Sequence, residues 1–378
     1  MIITARPSYS RIKTALSAIQ AHDQLELQIV AAASALLRNY GEIVKNIEAD
    51  GFPVNEKVYS VLEGENLITS VKSTGLGIVE LATVFDKLKP DAVVTIADRF
   101  ETMATAIAAA YMNIPLVHIQ GGEVTGSIDE KVRHAVTKLA DLHLVSNRDA
   151  ADRVIRMGEE PGTVFITGCP SIDIAAQVMK NPLLDFDPFS KYGGVGSKFP
   201  LDEGYLVVMQ HPVTTEVERA REQVTETLFA IKNLDMPTLW FWPNVDAGSD
   251  GTSKGIRVFR ELEAPTNIHF FTNILPEDFL KLIYNSKAII GNSSVAIREC
   301  SFMGIPAVNI GSREEGRVRG ANVIDVDYNR DDICYAVKKH IANGHYCSDS
   351  IYGDGHAGKK IAEVLIKVEL SYSKRITY

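Results

Sequence analysis

Three carboxylates, Asp98, Glu123 and Asp129, fall where an α/β sheet presents residues to a ligand. Asp98 follows the apolar run AVVTIA, Glu123 follows LVHIQGG, and Asp129 heads the next helical stretch. Ligands of open α/β sheets bind beyond the carboxyl ends of the strands, so residues just after an apolar run are the first candidates. Carboxylates so placed can take and return protons. Ser127 and Glu130 read as an S-x-x-E capping box, which fixes a helix start and keeps Asp129 in its first turn. Arg133, one turn later on the same face, favours the ionised form of Asp129. The same positions also suit ordinary solvated acids at loops and helix starts.

A second group suits an anion. In AIIGNSSVAIREC, Gly291-Asn292-Ser293-Ser294 lies between an apolar run and a helix. Such a turn offers free backbone N–H groups and a positive dipole end, to which Ser293 or Ser294 can add a hydroxyl. It also reads as a plain N-cap. Glu299, five or six residues into that helix, could reach a ribose hydroxyl or face solvent. His211, in QHPVTT, stands after another strand and can donate to a phosphate, although a loop histidine is often unremarkable. Asn244 and Asp246, in WPNVDAG, suit sugar or ribose contacts and equally suit turn chemistry. Arg6 and Ser10 follow the first strand and Arg313 follows GIPAVNIG; arginine forks match a diphosphate. The loop GSREEGRVRG around Arg313 also reads as solvated surface. No G-x-G-x-x-G and no Walker motif is present. His118, His134 and His143 lack metal-ligand spacing with one another; His118 reads as a packed histidine that could orient an acid near Asp98.

The elements that must position these residues alternate strand and helix. Strands are expected at Met1 to Ala5, Leu25 to Ala33, Ala92 to Ala97, Pro115 to Ile119, Leu142 to Val145 and Val164 to Thr167, with a helix from about Gly75 to Lys89. Near-continuous apolar strands suit a parallel sheet covered on both faces. The Pro- and Gly-rich stretch 182–203 reads as a linker. Strands then restart at Tyr205 to Gln210, Thr238 to Trp242, Ile268 to Phe271, Ala288 to Ile290, Ala307 to Ile310 and Val323 to Val326. The expected division is therefore a first domain 1–181 carrying the acids, a linker 182–203, a second domain 204–357, and a terminal helix and tail 358–378 that packs back on the first.

Composition bounds the rest. The chain has 378 residues, 46% hydrophobic and 23% charged, enough for two domains with real cores. A formal net charge of -9 argues against broad binding to nucleic acid or anionic membrane. Cys169, Cys300, Cys334 and Cys347 show no paired spacing, which suits free thiols in a reducing compartment. The amino end holds only a short apolar run before Arg6 and nowhere do eighteen apolar residues run together, so the expectation is a soluble cytoplasmic protein without a membrane partner.

Taken together, ADRFETMATAIAAAYMNIPLVHIQGGEVTGSIDEKVRHAVTKLADLH, QHPVTT, WPNVDAGSDG, IGNSSVAIRE, NIGSREEGRVRGANVI and IYGDG resemble the hydrolysing UDP-N-acetylglucosamine 2-epimerases of sialic acid and related nonulosonic acid synthesis. The resemblance runs from Arg6 almost to the carboxyl terminus. It implies a GT-B-like pair of Rossmann-type, doubly wound parallel-sheet domains with the active site in the cleft between them. It implies elimination of UDP through 2-acetamidoglucal and hydration to N-acetylmannosamine, with neither metal nor nicotinamide. Arg6, His211, Ser293, Ser294 and Arg313 match the family's phosphate-side positions and Glu299 the acid on the ribose. Asp98 and Asp129 match catalytic acids, with Arg99 and Arg133 beside them. Relatives form homodimers or homotetramers.

One position departs. Several relatives carry their third catalytic carboxylate where this chain has Gln120, and an amide exchanges no proton in that role. Either Glu123 supplies the acid, the reading preferred here, or Asp98 and Asp129 divide the work while Gln120 orients substrate or water. The alternative functions are a hydrolysing epimerase of UDP-2,4-diacetamido-2,4,6-trideoxyglucose or of a GDP-linked sugar, a non-hydrolysing epimerase, a GT-B glycosyltransferase, and a sugar-nucleotide sensor.

Overall fold

The computed structural model describes residues 1–38, 41–63, 67–125, 128–243, 248–272 and 274–377. Ser127, Asn244 and Asp246 lie outside the described residues. The chain forms two compact units. The first is Met1–Glu123, Ile128–Asp173 and Tyr352–Tyr378; the second is Ile174–Ile351 with Val124 and Thr125.

In chain order the first unit runs β1 (Ile2–Ile3), α1 (Arg6–Ser10), α2 (Lys13–Gln20), β2 (Ile29–Ala32), α3 (Val44–Ala49), β3 (Val54–Val58) and α4 (Leu67–Leu88). It continues with β4 (Val93–Ile96), α5 (Phe100–Tyr111), β5 (Leu116–Ile119), α6 (Asp129–Leu139), β6 (Leu142–Val145), α7 (Arg148–Arg156), β7 (Val164–Ile166) and the start of α8 (Pro170–Lys180). Its strands form two parallel sets, β1-β2-β3 and β4-β5-β6-β7, which meet at β1 and β4. Winding reverses there, and the crevice at such a reversal is where doubly wound sheets take a ligand. Arg6 follows one of these two strands and Asp98 the other.

β2, β4, β5 and β6 are buried along their whole length, the pattern of strands covered on both faces. Ile2, Val93 and Leu116 enter one core with Leu81 and Phe85. Their neighbours Ile3, Val94 and Val117 enter the opposite core with Ile12, Leu16 and Ile361. Burying each such side chain stabilises the fold by roughly 1.5–3 kcal/mol.

The second unit continues with α9 (Pro188–Tyr192), β8 (Val195–Gly196), β9 (Leu206–Met209), α10 (Ala220–Leu234), β10 (Thr238–Phe241), α11 (Ser249–Glu263), β11 (Ile268–Phe271) and α12 (Pro276–Tyr284). It ends with β12 (Ala288–Gly291), α13 (Glu299–Met303), β13 (Ala307–Ile310), β14 (Val323–Val326) and α14 (Arg330–Asn343). The sheet order is β14-β13-β12-β9-β10-β11-β8, parallel except for β8, and its reversal lies between β9 and β12. The stretch 182–203 thus holds a helix and an edge strand of this sheet.

Beyond the second unit, α15 (Ala357–Lys367) belongs to the first and packs on α2. Asp173 fixes its start, accepting from the Ala357 and Gly358 amides at 2.8 Å each and from the Thr14 hydroxyl at 2.9 Å. The tail then closes the far end of α6. Lys374 Nζ donates to the Lys138 and Ala140 carbonyls at 2.8 and 2.5 Å and pairs with buried Glu159 at 2.6 Å. A cation on the last carbonyls of a helix meets its negative dipole end. Burial works against the Glu159 carboxylate, but hydrogen bonds from His143, Lys138 and Lys374 hold its pKa down to about 2.

Among the described residues one helix, α4, is long and apolar enough by length and composition to cross a membrane, at a mean hydropathy of 1.3. Only Ser73, Gly77, Leu81 and Phe85 of it are buried.

Lys374→Met should cost about 2–3 kcal/mol in urea denaturation at pH 7, the worth of hydrogen bonds to charged groups. Because the folded pKa of Glu159 is depressed, its stabilisation is complete above the ordinary carboxylate value of 4.5 and is lost as pH falls toward about 2. The gap between wild type and variant should narrow between pH 7 and pH 3; a constant gap would assign the effect to the carbonyl contacts alone.

Candidate active site

In the first unit the backbone turns sharply just after two strands. Ala97 and Gln120 both adopt φ of +65°, an unfavourable region for residues with a Cβ. Each still donates one ladder bond, Ala97 to the Ile119 carbonyl and Gln120 to that of Leu144, both at 2.9 Å. The strands therefore hold their pairing while the following residues swing out of the sheet. Gly122 (φ +75°) tightens the second turn, where a Cβ would lie 2.4 Å from the Ala150 carbonyl oxygen.

These turns deliver two buried acids, Asp98 and Glu123, to Arg133 on α6. The Arg133 guanidinium, 1% exposed, donates to the Asp98 carboxylate, to the Glu123 carbonyl at 3.0 Å and to the Glu130 carboxylate at 2.9 Å. Burial opposes its charge, yet Asp98, Glu123 and Glu130 more than offset this and raise its pKa above the ordinary arginine value. Ser146, at the end of β6, donates to Glu123 Oε1 at 2.6 Å and so fixes that carboxylate. Asp129 opens α6, four residues before Arg133. Arg99, just before α5, pairs with Glu101 at 3.2 Å.

His118 is structural. Its Nε2 donates to the Ala97 carbonyl at 2.8 Å, and burial pushes its pKa down to about 3, so the ring is neutral and holds the turn that precedes Asp98. Gln120 is buried, with Nε2 at 2.7 Å from Cys169 Sγ, itself 2.9 Å from Ser171 Oγ. Its Oε1 has no hydrogen-bond partner among the described residues. Arg6 opens α1, where desolvation lowers its pKa, and Ser10 bonds back to the Arg6 carbonyl at 3.1 Å. Among the described residues no group of three His, Cys, Asp or Glu could hold a metal ion.

The second unit builds its end of the sheet around Asn292. Gly291, at φ +135°, lets β12 approach β9 closely; a Cβ there would stand 2.0 Å from the Met209 carbonyl oxygen. Asn292 then bridges to the neighbouring strand's loop, accepting from the His211 amide at 2.7 Å and donating to its carbonyl at 2.8 Å. Arg313 donates to the Asn292 carbonyl at 3.1 Å and pairs with Glu314 at 2.8 Å. Ser293 and Ser294 follow at the start of a short 3-10 turn, Ser294–Ala296. His211, Ser293, Ser294 and Arg313 are thus collected around one buried amide.

Two expectations change. Glu299 does not lie well inside a helix: the 3-10 turn ends at Ala296 and Glu299 opens α13, buried, with Oε2 lacking a partner among the described residues. The charged loop after Gly311 is not a solvated surface, because Glu314 and Arg317 are 1% and 5% exposed and pair at 2.7 Å. Sequence reasoning passed over Ser146, Cys169 and the bridging role of Asn292. Ser146 and Cys169 follow β6 and β7, so the rule that picked out Asp98 reaches them too.

Residues 17–366 match the family model described as UDP-N-acetylglucosamine 2-epimerase. The chain is 30% identical over 365 residues to the hydrolysing UDP-N,N'-diacetylbacillosamine 2-epimerase of Legionella pneumophila, covering 97% of this chain and 94% of that protein. It is 31% identical to the GDP/UDP-N,N'-diacetylbacillosamine 2-epimerase of Campylobacter jejuni, covering 87% and 84%. The crystal structure of UDP-GlcNAc 2-epimerase from Neisseria meningitidis bound to UDP-GlcNAc superposes with a TM-score of 0.80 at 17% identity, covering 97% of this chain and 99% of that one. That likeness carries the fold, a GT-B-like pair of Rossmann-type units. With the family model spanning nearly the whole sequence, the chain belongs to the UDP-N-acetylglucosamine 2-epimerase family.

Proposed function

We propose that the chain is a cytoplasmic hydrolysing 2-epimerase that converts UDP-N-acetylglucosamine to UDP and N-acetylmannosamine, in sialic or related nonulosonic acid synthesis, and that it works as a homodimer or homotetramer. The observation that supports this most is the gathering of Asp98 and Glu123 on the buried guanidinium of Arg133, on the helix that Asp129 opens. Four free cysteines agree with a reducing compartment.

In this reading a carboxylate takes the C2 proton, the C1–O bond breaks with its electron pair leaving on UDP, and C1=C2 forms. Water then adds its hydroxyl at C1, and a proton returns to C2 on the other face. Two faces require acids from different segments, which Asp98 and Asp129 supply, with Glu123 as a participant and Gln120 orienting substrate or water. The departing diphosphate makes the larger electrostatic demand. Arg6, Ser10, Arg99, His211, Ser293, Ser294 and Arg313 serve the substrate's charged and polar end. Glu299 takes the ribose, and Asn244 and Asp246 take sugar or ribose hydroxyls.

A second reading, UDP-N,N'-diacetylbacillosamine as donor, is favoured by the names of the Legionella and Campylobacter relatives. It keeps the same chemistry and changes only the groups at C4 and C6 of the sugar.

Product NMR in deuterated water, without acceptor, should show free UDP and N-acetylmannosamine carrying deuterium at C2. A UDP-linked product would indicate a non-hydrolysing enzyme. UDP release from the diacetamido donor alone would establish the second reading, and none from any donor would sink the proposal. Asp98→Asn, Asp129→Asn and Glu123→Gln should each lower kcat by roughly 10²-fold or more, the scale of a lost acid or base; full turnover in Glu123→Gln removes Glu123 from the chemistry. Asn292→Ala leaves the His211 backbone N–H and C=O without these two bonds, at about 1–3 kcal/mol, so calorimetry should find UDP bound about tenfold or more weakly.

A further inference from the structure

One buried hydroxyl lies among all three segments that carry the acids of the first unit. Asp129, Arg133 and Thr137 form an i, i+4 row along α6, and Thr137 is fully buried. Its Oγ1 stands 2.9 Å from the Arg133 carbonyl and 3.2 Å from His118 Nδ1. The other ring nitrogen, Nε2, donates to the Ala97 carbonyl in the turn before Asp98. The loop that leads to Glu123 packs on the same two side chains: a Cβ on Gly121 would stand 2.9 Å from His118 Nδ1 and 3.0 Å from Thr137 Oγ1.

The hydrogens of this pair can be assigned. A carbonyl only accepts, so His118 Nε2 carries its hydrogen, and in the neutral ring Nδ1 is left as an acceptor. Thr137 has one hydroxyl hydrogen, which the Arg133 carbonyl and Nδ1 share. A helical threonine is satisfied by the carbonyl four residues back alone, so the second acceptor sets Thr137 apart. It ties the helix of Arg133 to the turn of Asp98 and adds no charge. The tail holds the same residue from outside α6, where Lys374 donates to the Thr137 carbonyl at 3.2 Å.

We propose that Thr137 is a positioning residue for proton transfer at C2, fixing through His118 the turn of Asp98 against the helix that carries Asp129 and Arg133. The inference rests on the chemistry of the proposed function and adds to it a group that touches no substrate. Proton abstraction is sensitive to such fixing, because a misplacement of about 1 Å costs roughly 10²-fold in rate. In that reading the nucleotide is gripped by His211, Ser293, Ser294 and Arg313, so loss of the hydroxyl falls on kcat and spares UDP binding.

Thr137→Val keeps the shape of the side chain and removes its hydroxyl. Counted per UDP-binding molecule by calorimetry, its kcat for UDP release should fall roughly tenfold or more while KM stays within about two-fold of wild type. Deuterium at C2 of the donor should slow this variant at least as much as it slows wild type, because abstraction carries more of the barrier. Thr137→Ser should recover most of the loss. Gly121→Ala, at a position outside the left-handed region, removes no polar atom and should reproduce the Thr137→Val phenotype by forcing the pair away from the loop. Unchanged kcat per binding molecule in both variants, a loss confined to KM, a smaller isotope effect, or a Thr137→Ser variant no better than Thr137→Val overturns the proposal. A wild type that releases UDP from no donor sinks the proposed chemistry instead. The crystal structure of Thr137→Val then decides the positioning: a displaced Asp98 turn upholds it, and an Asp98–Arg133 pair left in place overturns it.

Discussion

A guanidinium that is 1% exposed has to be paired, and the first unit is arranged to pair it. Arg133 receives a carboxylate from the end of β4, a carbonyl from the loop after β5 and a second carboxylate from its own helix. Removing one partner of a buried pair costs about 3–5 kcal/mol, so the conformations of these three segments are not independent. The left-handed turns at Ala97 and Gln120 become intelligible as the bends that bring acids to that cation. His118 sits beneath the first of them, neutral and bonded to the Ala97 carbonyl.

The second unit solves a similar geometric problem with different chemistry. Its two central strands also end side by side where the winding reverses, but a neutral amide does the bridging. Asn292 spends both ends of its side chain on the backbone N–H and C=O of one residue, His211, and its own carbonyl holds Arg313. An amide adds no charge of its own, so the bridge introduces no carboxylate beside Ser293, Ser294 and Arg313. The two units thus divide electrostatic character: one concentrates acids around a satisfied arginine, and the other gathers donors around a satisfied amide.

Much of this was legible in the sequence, and the misses have physical causes. The apolar strands and the acids that follow them stood out because two-faced burial demands unbroken runs of Val, Ile and Leu. β3, with the sequence VNEKV, escaped notice because its residues alternate between partial burial and exposure. β8 is two residues long, and both are exposed. Arg133 was tied in sequence to Asp129, its helical neighbour, whereas its pairing with Asp98 spans 35 residues and depends on the order of strands. The loop after Gly311 looked solvated because its charges are dense, and only the fold shows Glu314 buried among Arg313, Arg317 and Arg319. The position of Glu299 was misplaced because the strand, N-S-S and apolar run suggested one continuous helix, which the 3-10 turn interrupts.

The first unit is discontinuous: it leaves off at Asp173 and resumes at Tyr352. A ribosome must therefore make the whole second unit before α15 can dock on α2 or Lys374 can reach α6. A nascent chain halted anywhere in between exposes Leu16 and Ile19 of α2, which share a core with Ile361, and leaves the helix bearing Arg133 unsecured at its far end. Splitting the gene at the boundary of the second unit would thus yield one fragment with its own sheet and another lacking its final layer, and complementation would have to supply residues 352–377 in trans.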